Sequence, residues 1–264
     1  MLYLVLVILI IVLLSLLPKN NEHFSNLGDE NVIMTTYFCN KNDPQRPKRA
    51  PCNDFQYIKP WYNSIKKLGL NGVVFHDGMS DNFIKQYQTE KIKFVYVDSN
   101  SYEFSLNDLR YFVYHDFLSK NKNIKNVFMT DGNDVTIVKS PFNKFTGICV
   151  GKEELKINDS KWMKQKIKNF NSNNINKFNY NSQSGVYNAG ILGGNRNEVM
   201  NFLKFMIKIF NNLDEKQRRD NLNMIVFNYV VYNNYKQKVN TGEPLHSVYK
   251  KFENNRKDVY FIHK

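Results

Sequence analysis

From residue 31 onward, short apolar runs alternate with segments of helical spacing. NVIMTTYF (31–38), NGVVFHDG (71–78), KIKFVYVD (91–98) and NVFMTD (126–131) read as strands of the fully buried kind. Between them DFQYIKPWYNSIKKLG (54–69), SDNFIKQYQTE (80–90) and SLNDLRYFVYHDFLSKN (105–121) read as helices, with an N-cap at Ser80 and a stop at Gly69. Strands joined through helices lie parallel, so the expectation is an α/β fold: a mostly parallel (mixed) central sheet with helices on both faces. TGICVGKE (146–153), VYNAGILGG (186–194) and VYFIH (259–263) supply further strands. NEVMNFLKFMIKIFNN (197–212) and DNLNMIVFNYVVYNN (220–234) supply further helices. The Asn- and Lys-rich stretch 154–185 reads as a loop near the site.

The chain has 264 residues, 42% of them hydrophobic and 14% aromatic, enough for one large core. No repeat of solenoid length is visible. The net charge of +13 suits anionic partners: nucleic acid, a membrane surface or phosphate-bearing small molecules. The basic residues are scattered without interleaved aromatics, which argues against nucleic acid. Three cysteines are too few for a disulfide framework; Cys39 and Cys52 flank one loop and can pair in an oxidising compartment, while Cys149 sits in an apolar run as a buried thiol.

Residues 1 to 17 are apolar except for Ser15, and Pro18 ends the run. There is no basic n-region and no small-residue cleavage site, which favours an uncleaved anchor over a signal peptide. The expected organisation is a transmembrane anchor (1–18), a polar stem (19–30) and a catalytic-sized domain (31–264), making a single-pass membrane protein.

In open α/β sheets ligands bind beyond the carboxyl ends of the strands. Those ends here carry Thr35-Thr36-Tyr37, His76-Asp77, Asp98 and Asp131-Gly132-Asn133-Asp134. Unpaired carboxylates are costly to bury, so Asp131 and Asp134 are expected at the ligand edge, where they can hold Mg²⁺ or Mn²⁺ and leave positions for phosphate oxygens. The simpler reading is an Asp-Gly turn closed by local hydrogen bonds. In YNAGILGG (187–194) the small residues Ala189, Gly190, Gly193 and Gly194 allow close approach of a ligand to the backbone, and the helix that follows offers an anion-binding N-terminus. The spacing is not that of a dinucleotide fingerprint.

Taken in order, TDGNDV, Pro141-Phe142, YNAGILGG, Asp220-Asn221 and the terminal FIH resemble the GT-A fold nucleotide-diphospho-sugar glycosyltransferases, family-8-like members in particular. The resemblance implies a GT-A, Rossmann-like domain over 31–264 and a retaining, metal-dependent transfer of a sugar from a nucleotide diphosphate, UDP by expectation. The acceptor would be a hydroxyl on a glycan, protein or lipid. It assigns Asp131, Asp134 and His263 to the metal, with D-x-x-D standing where the family has D-x-D. It assigns Asn133, Asn188, Gly190 and Gly193 to the nucleotide sugar, and Thr35, Thr36 and Tyr37 to the base, with Tyr37 stacking on it. Arg110 falls where such enzymes place a basic residue near the donor. Asp220 and Asn221 match the catalytic D-Q pair, Asn replacing Gln. The family's habit places the catalytic domain in the secretory lumen. Two other classes stay open: a metal-dependent nucleotidyltransferase or phosphohydrolase using the same carboxylates, and a non-catalytic membrane-tethered binding module in which Asp134 has no role.

Overall fold

The computed structural model describes residues 30–42, 48–173, 177–251 and 253–264. The expected anchor (1–18) and all of the expected stem but its last residue lie outside these. Among the described residues no helix is long and apolar enough to cross a membrane.

Strands β1 (Asn31–Tyr37), β2 (Gly72–His76), β3 (Ile92–Tyr96) and β4 (Asn126–Thr130) pair in parallel in the order β3-β2-β1-β4. They are joined through α1 (Phe55–Leu68), α2 (Asp81–Tyr87) and α3 (Leu106–Lys120). After β4 a short strand β5 (Val135–Ile137) leaves the sheet. The sheet is completed by β6 (Cys149–Lys156) and β7 (Gly185–Asn195): β7 lies antiparallel beside β4, and β6 antiparallel beside β7. The remaining helices are α4 (Lys161–Asn173), α5 (Arg196–Asn211), α6 (Glu215–Arg218) and α7 (Asn223–Asn233). The last strand, β8 (Phe261–His263), pairs antiparallel with β5 in a separate two-stranded ribbon.

Side-chain alternation along β1 divides the core in two. Val32 and Met34 pack with α3, α4, α5 and α7, while Ile33 and Tyr37 pack with α1, α2, β5 and β8. Trp61 of α1 is fully buried, and its indole N–H donates to Thr130 Oγ1 at 2.9 Å. Its truncation to alanine would cost about 3–5 kcal/mol. Local signals agree with these elements. Asp54, Ser80 and Ser105 cap α1, α2 and α3 through their side chains, and Gly69 ends α1 at φ 62°.

Two expectations are corrected. Much of the presumed loop 154–185 is ordered: β6 runs on to Lys156, and α4 docks Met163, Ile167 and Phe170 into the core. Three apolar side chains at helical spacing are enough to seat a helix that is otherwise Lys and Asn. The helix expected from Asp220 begins at Asn223, because Asn221 is left-handed (φ 53°) and breaks the run. Cys39 and Cys52 form a disulfide, and Cys149 is a buried free thiol.

Candidate functional site

The turn after β4 lies against the first strand. A Cβ on Gly132 would meet Thr35 Oγ1 at 2.8 Å, so glycine is needed there for space. The backbone N–H of Asp131 donates to the Gly190 carbonyl at 3.0 Å, which fixes the turn to β7. Pairing of β5 with β8 sets His263 opposite Val135, and the N–H of Lys264 donates to the Asp134 carbonyl at 2.9 Å. The chain's end is thereby brought to the Asp turn. Ligand atoms of Asp131, Asp134 and His263 all lie within 4.8 Å of one another.

Gly190 forms the floor of this group. A Cβ there would sit 2.7 Å from His263 Nε2 and Cε1 and 2.8 Å from Asp131 Oδ2. Arg110, buried on α3, forms an ion pair with Asp131 and donates to the Ala189 carbonyl at 3.2 Å and the Tyr111 hydroxyl at 3.2 Å. Truncating a buried pair of this kind on one side strands the other charge. Burial pulls the His263 imidazole down to about 4 despite the Asp131 carboxylate nearby, so it is neutral at neutral pH. Its Nδ1 has no hydrogen-bond partner among the described residues. Two carboxylates and a neutral imidazole form a donor set that fits Mn²⁺ or Mg²⁺. The cluster thus meets the chemical requirement for holding a divalent cation.

Asn188 connects the cluster to its surroundings. Its Oδ1 accepts from the Gly190 N–H at 2.8 Å, and its Nδ2 donates to Glu153 Oε1 at 2.8 Å. Burial raises the Glu153 carboxyl above its ordinary range, opposed by Asn188 and Lys250. Tyr249 stands over the His263 ring at 4.6 Å between centroids. Its hydroxyl is pushed up to about 12, by burial first and then by the charges of Glu153, Asp134 and Asp131. Beside these residues opens a cleft of about 520 Å³, lined by Glu153 and Tyr249 though not by Asp131 itself.

Of the residues singled out from sequence, Asp131, Asp134, His263, Arg110, Asn188 and Gly190 come together. Thr35 is buried under the turn, and Asn133 is half-buried within it. Thr36 is on the sheet face covered by α3, hydrogen-bonded to Tyr114, which lies near Arg110 and Asp131. The others are placed elsewhere. Tyr37 is fully buried, stacked on Tyr57 at 4.4 Å, with its hydroxyl bonded to the Pro51 and Asp54 carbonyls, so it is not available to stack on a base. Gly193 is covered by the Phe128 ring, its cross-strand partner, so its smallness serves packing. The Asp220 carboxylate is held by Lys166 and Asn169 of α4, and neither belongs to the cluster. Asn221 is buried in the left-handed turn before α7.

Sequence reasoning passed over Tyr111, Asn223, Glu153 and Tyr249. Asn223 is hydrogen-bonded to Tyr111, which in turn meets Arg110. Polar residues recurring on the buried face of α3 were a signal for Tyr111. None pointed to Tyr249, which lies in a stretch without periodicity. No protein-family model matches this chain, and no curated protein matches it either.

Proposed function

We propose that this protein is a divalent-metal-dependent glycosyltransferase of the GT-A type. It would move a sugar from a nucleotide diphosphate, UDP by preference, to a hydroxyl acceptor. The observation that carries this reading is the meeting of Asp131, Asp134 and His263 beyond the carboxyl end of β4, in the parallel part of a mixed sheet. These are the residues that the resemblance groups, and His263 is more than a hundred positions from the two aspartates in sequence. When bound, a divalent cation supplies Lewis-acid neutralisation of the departing diphosphate. The chain's own residues prepare the place for it. Arg110 holds the Asp131 carboxylate in one orientation, burial keeps His263 neutral, and Gly190 leaves the room that any side chain would fill. Retention of anomeric configuration follows the resemblance. A phosphohydrolase or nucleotidyltransferase would call for more carboxylates around Asp131, and among the described residues the group consists of these three.

The apolar run at the N-terminus supports a membrane tether, and the Cys39–Cys52 pair supports an oxidising, luminal compartment for the domain. The test is thermal unfolding of the full chain in detergent against UDP, GDP and their sugars, with and without Mn²⁺. A ligand bound only by the folded state raises apparent stability by mass action. The expected result is a Mn²⁺-dependent rise with one nucleotide sugar, abolished by Asp134→Ala and by His263→Ala. Identical melting of all three proteins under every condition refutes the proposal.

A further inference from the structure

Three tyrosines line the cleft beside the cluster. Tyr187 and Tyr232 bring aromatic rings, centroids 5.5 Å apart, and Tyr249 closes the end next to His263. Several polar groups there are already engaged. His246 Nδ1 donates to the Ser247 carbonyl at 2.7 Å and its Nε2 accepts from the Gly242 N–H at 3.1 Å, so both ring nitrogens are used. The Tyr232 hydroxyl donates to the Gly185 carbonyl at 2.8 Å. Ser247 Oγ accepts from the His263 N–H at 3.0 Å.

Glu153 is different. It is half-buried on β6, and Asn188 occupies one of its oxygens. An ionised carboxylate offers about four acceptor positions and no donor, so the rest suit hydroxyl groups. Glu153, Glu154 and Glu243 outnumber Lys152 and Lys156 in the lining, a balance that favours hydroxyl groups over phosphate. Aromatic walls beside a row of acceptors, with Glu154, Glu243, Gln183 and Gln237 lining the cleft along with Glu153, match a sugar ring, which shows apolar C–H faces and hydroxyl edges. The 520 Å³ volume lies within the ordinary range for a small-molecule site.

We infer that this cleft is a carbohydrate subsite in which Glu153 accepts hydrogen bonds from sugar hydroxyls, and that Asn188 sets its distance from the Asp131 cluster. The role of that sugar as acceptor rests on the transferase reading. Through Asn188 the Glu153 carboxylate is coupled to the Gly190 backbone, against which His263 and Asp131 pack. A hydroxyl held by Glu153 would therefore face the cluster.

The experiment uses the full chain in detergent with UDP and Mn²⁺ present. Saturation-transfer NMR and titration are run with methyl β-galactoside, methyl β-glucoside, methyl α-mannoside and, separately, inorganic phosphate. At least one glycoside is expected to bind. Glu153→Gln, whose Oε1 still accepts from Asn188, is expected to weaken that binding about tenfold or more. The same variant is expected to leave the Mn²⁺–UDP melting shift unchanged. Glu153→Asp, which keeps the charge but withdraws it by one methylene, is expected to fall between the two. Absence of glycoside binding in a protein that shows the nucleotide shift overturns the inference, and so does equal binding by Glu153→Gln or a preference for phosphate. Glycoside binding that depends on Glu153 without any nucleotide shift supports the cleft and overturns the transferase reading.

Discussion

Replacing Gly190 with alanine puts a methyl carbon 2.7 Å from His263 Nε2 and 2.8 Å from Asp131 Oδ2. Neither neighbour yields easily: the His263 ring is buried, and Asp131 is held by Arg110. Overpacking of this kind costs about 1–3 kcal/mol, which at roughly 2–4 °C per kcal/mol lowers the melting temperature by about 2–12 °C. The same shift should separate the donor groups and abolish the Mn²⁺ stabilisation that the proposed site implies. In the wild type a Mn²⁺ ion held as proposed would add about 2.7 kcal/mol at a hundredfold excess over Kd, or roughly 5–11 °C. Two other glycines on β7 serve as internal standards. Gly193→Ala drives a methyl into the Phe128 ring, so it should destabilise comparably while keeping the Mn²⁺ response. Gly185→Ala meets only Lys152 Cε at 3.6 Å, an ordinary contact, and should be near neutral in both readouts. Differential scanning fluorimetry with and without Mn²⁺ measures all three. A Gly190→Ala protein that melts like wild type and keeps its full Mn²⁺ shift would refute the assignment of Gly190 as the floor of the site.

Three further outcomes are expected. Asp108 is fully buried, and burial raises its carboxyl to about 7 despite hydrogen bonds from Ser105 and the Leu222 and Asn223 backbone. The folded state then holds this proton more tightly than the unfolded state, so its stabilising contribution is complete below pH ~4 and is lost as pH rises toward ~7, by roughly 4 kcal/mol in all; urea midpoints across that window should flatten in Asp108→Asn relative to wild type. Asp220→Asn should change stability by less than about 1 kcal/mol, because its pair with Lys166 is partly exposed; it should also leave any Mn²⁺–nucleotide response intact, and loss of that response would return Asp220 to the site. Reduction of Cys39–Cys52, which closes a loop of sequence separation 13, should destabilise by about 3 kcal/mol, read as a lower urea midpoint in reducing buffer.

The parallel sheet and its covering helices were legible in the sequence because each depends on local periodicity. Val32, Met34, Ile33 and Tyr37 alternate along one strand, Ser80 and Gly69 mark helix ends, and no distant residue is needed to read them. Asp131 and Asp134 were legible for a related reason: carboxylates at the end of an apolar strand have to emerge at a sheet edge. Whether His263 joins them depended on β8 pairing with β5 rather than with the main sheet, a long-range register that no local pattern encodes. The same distinction separates Gly190 from Gly193. The two are identical in sequence terms, but one packs against the Asp131–His263 pair and the other against Phe128. Asp220 looked catalytic by its order in the chain, yet the left-handed Asn221 turn and the docking of α4 direct its carboxylate to Lys166. Helix, strand and turn preferences act over a few residues and leave their trace in the sequence. The identity of the side chains that meet across the fold is set by packing, and only the tertiary structure decides it.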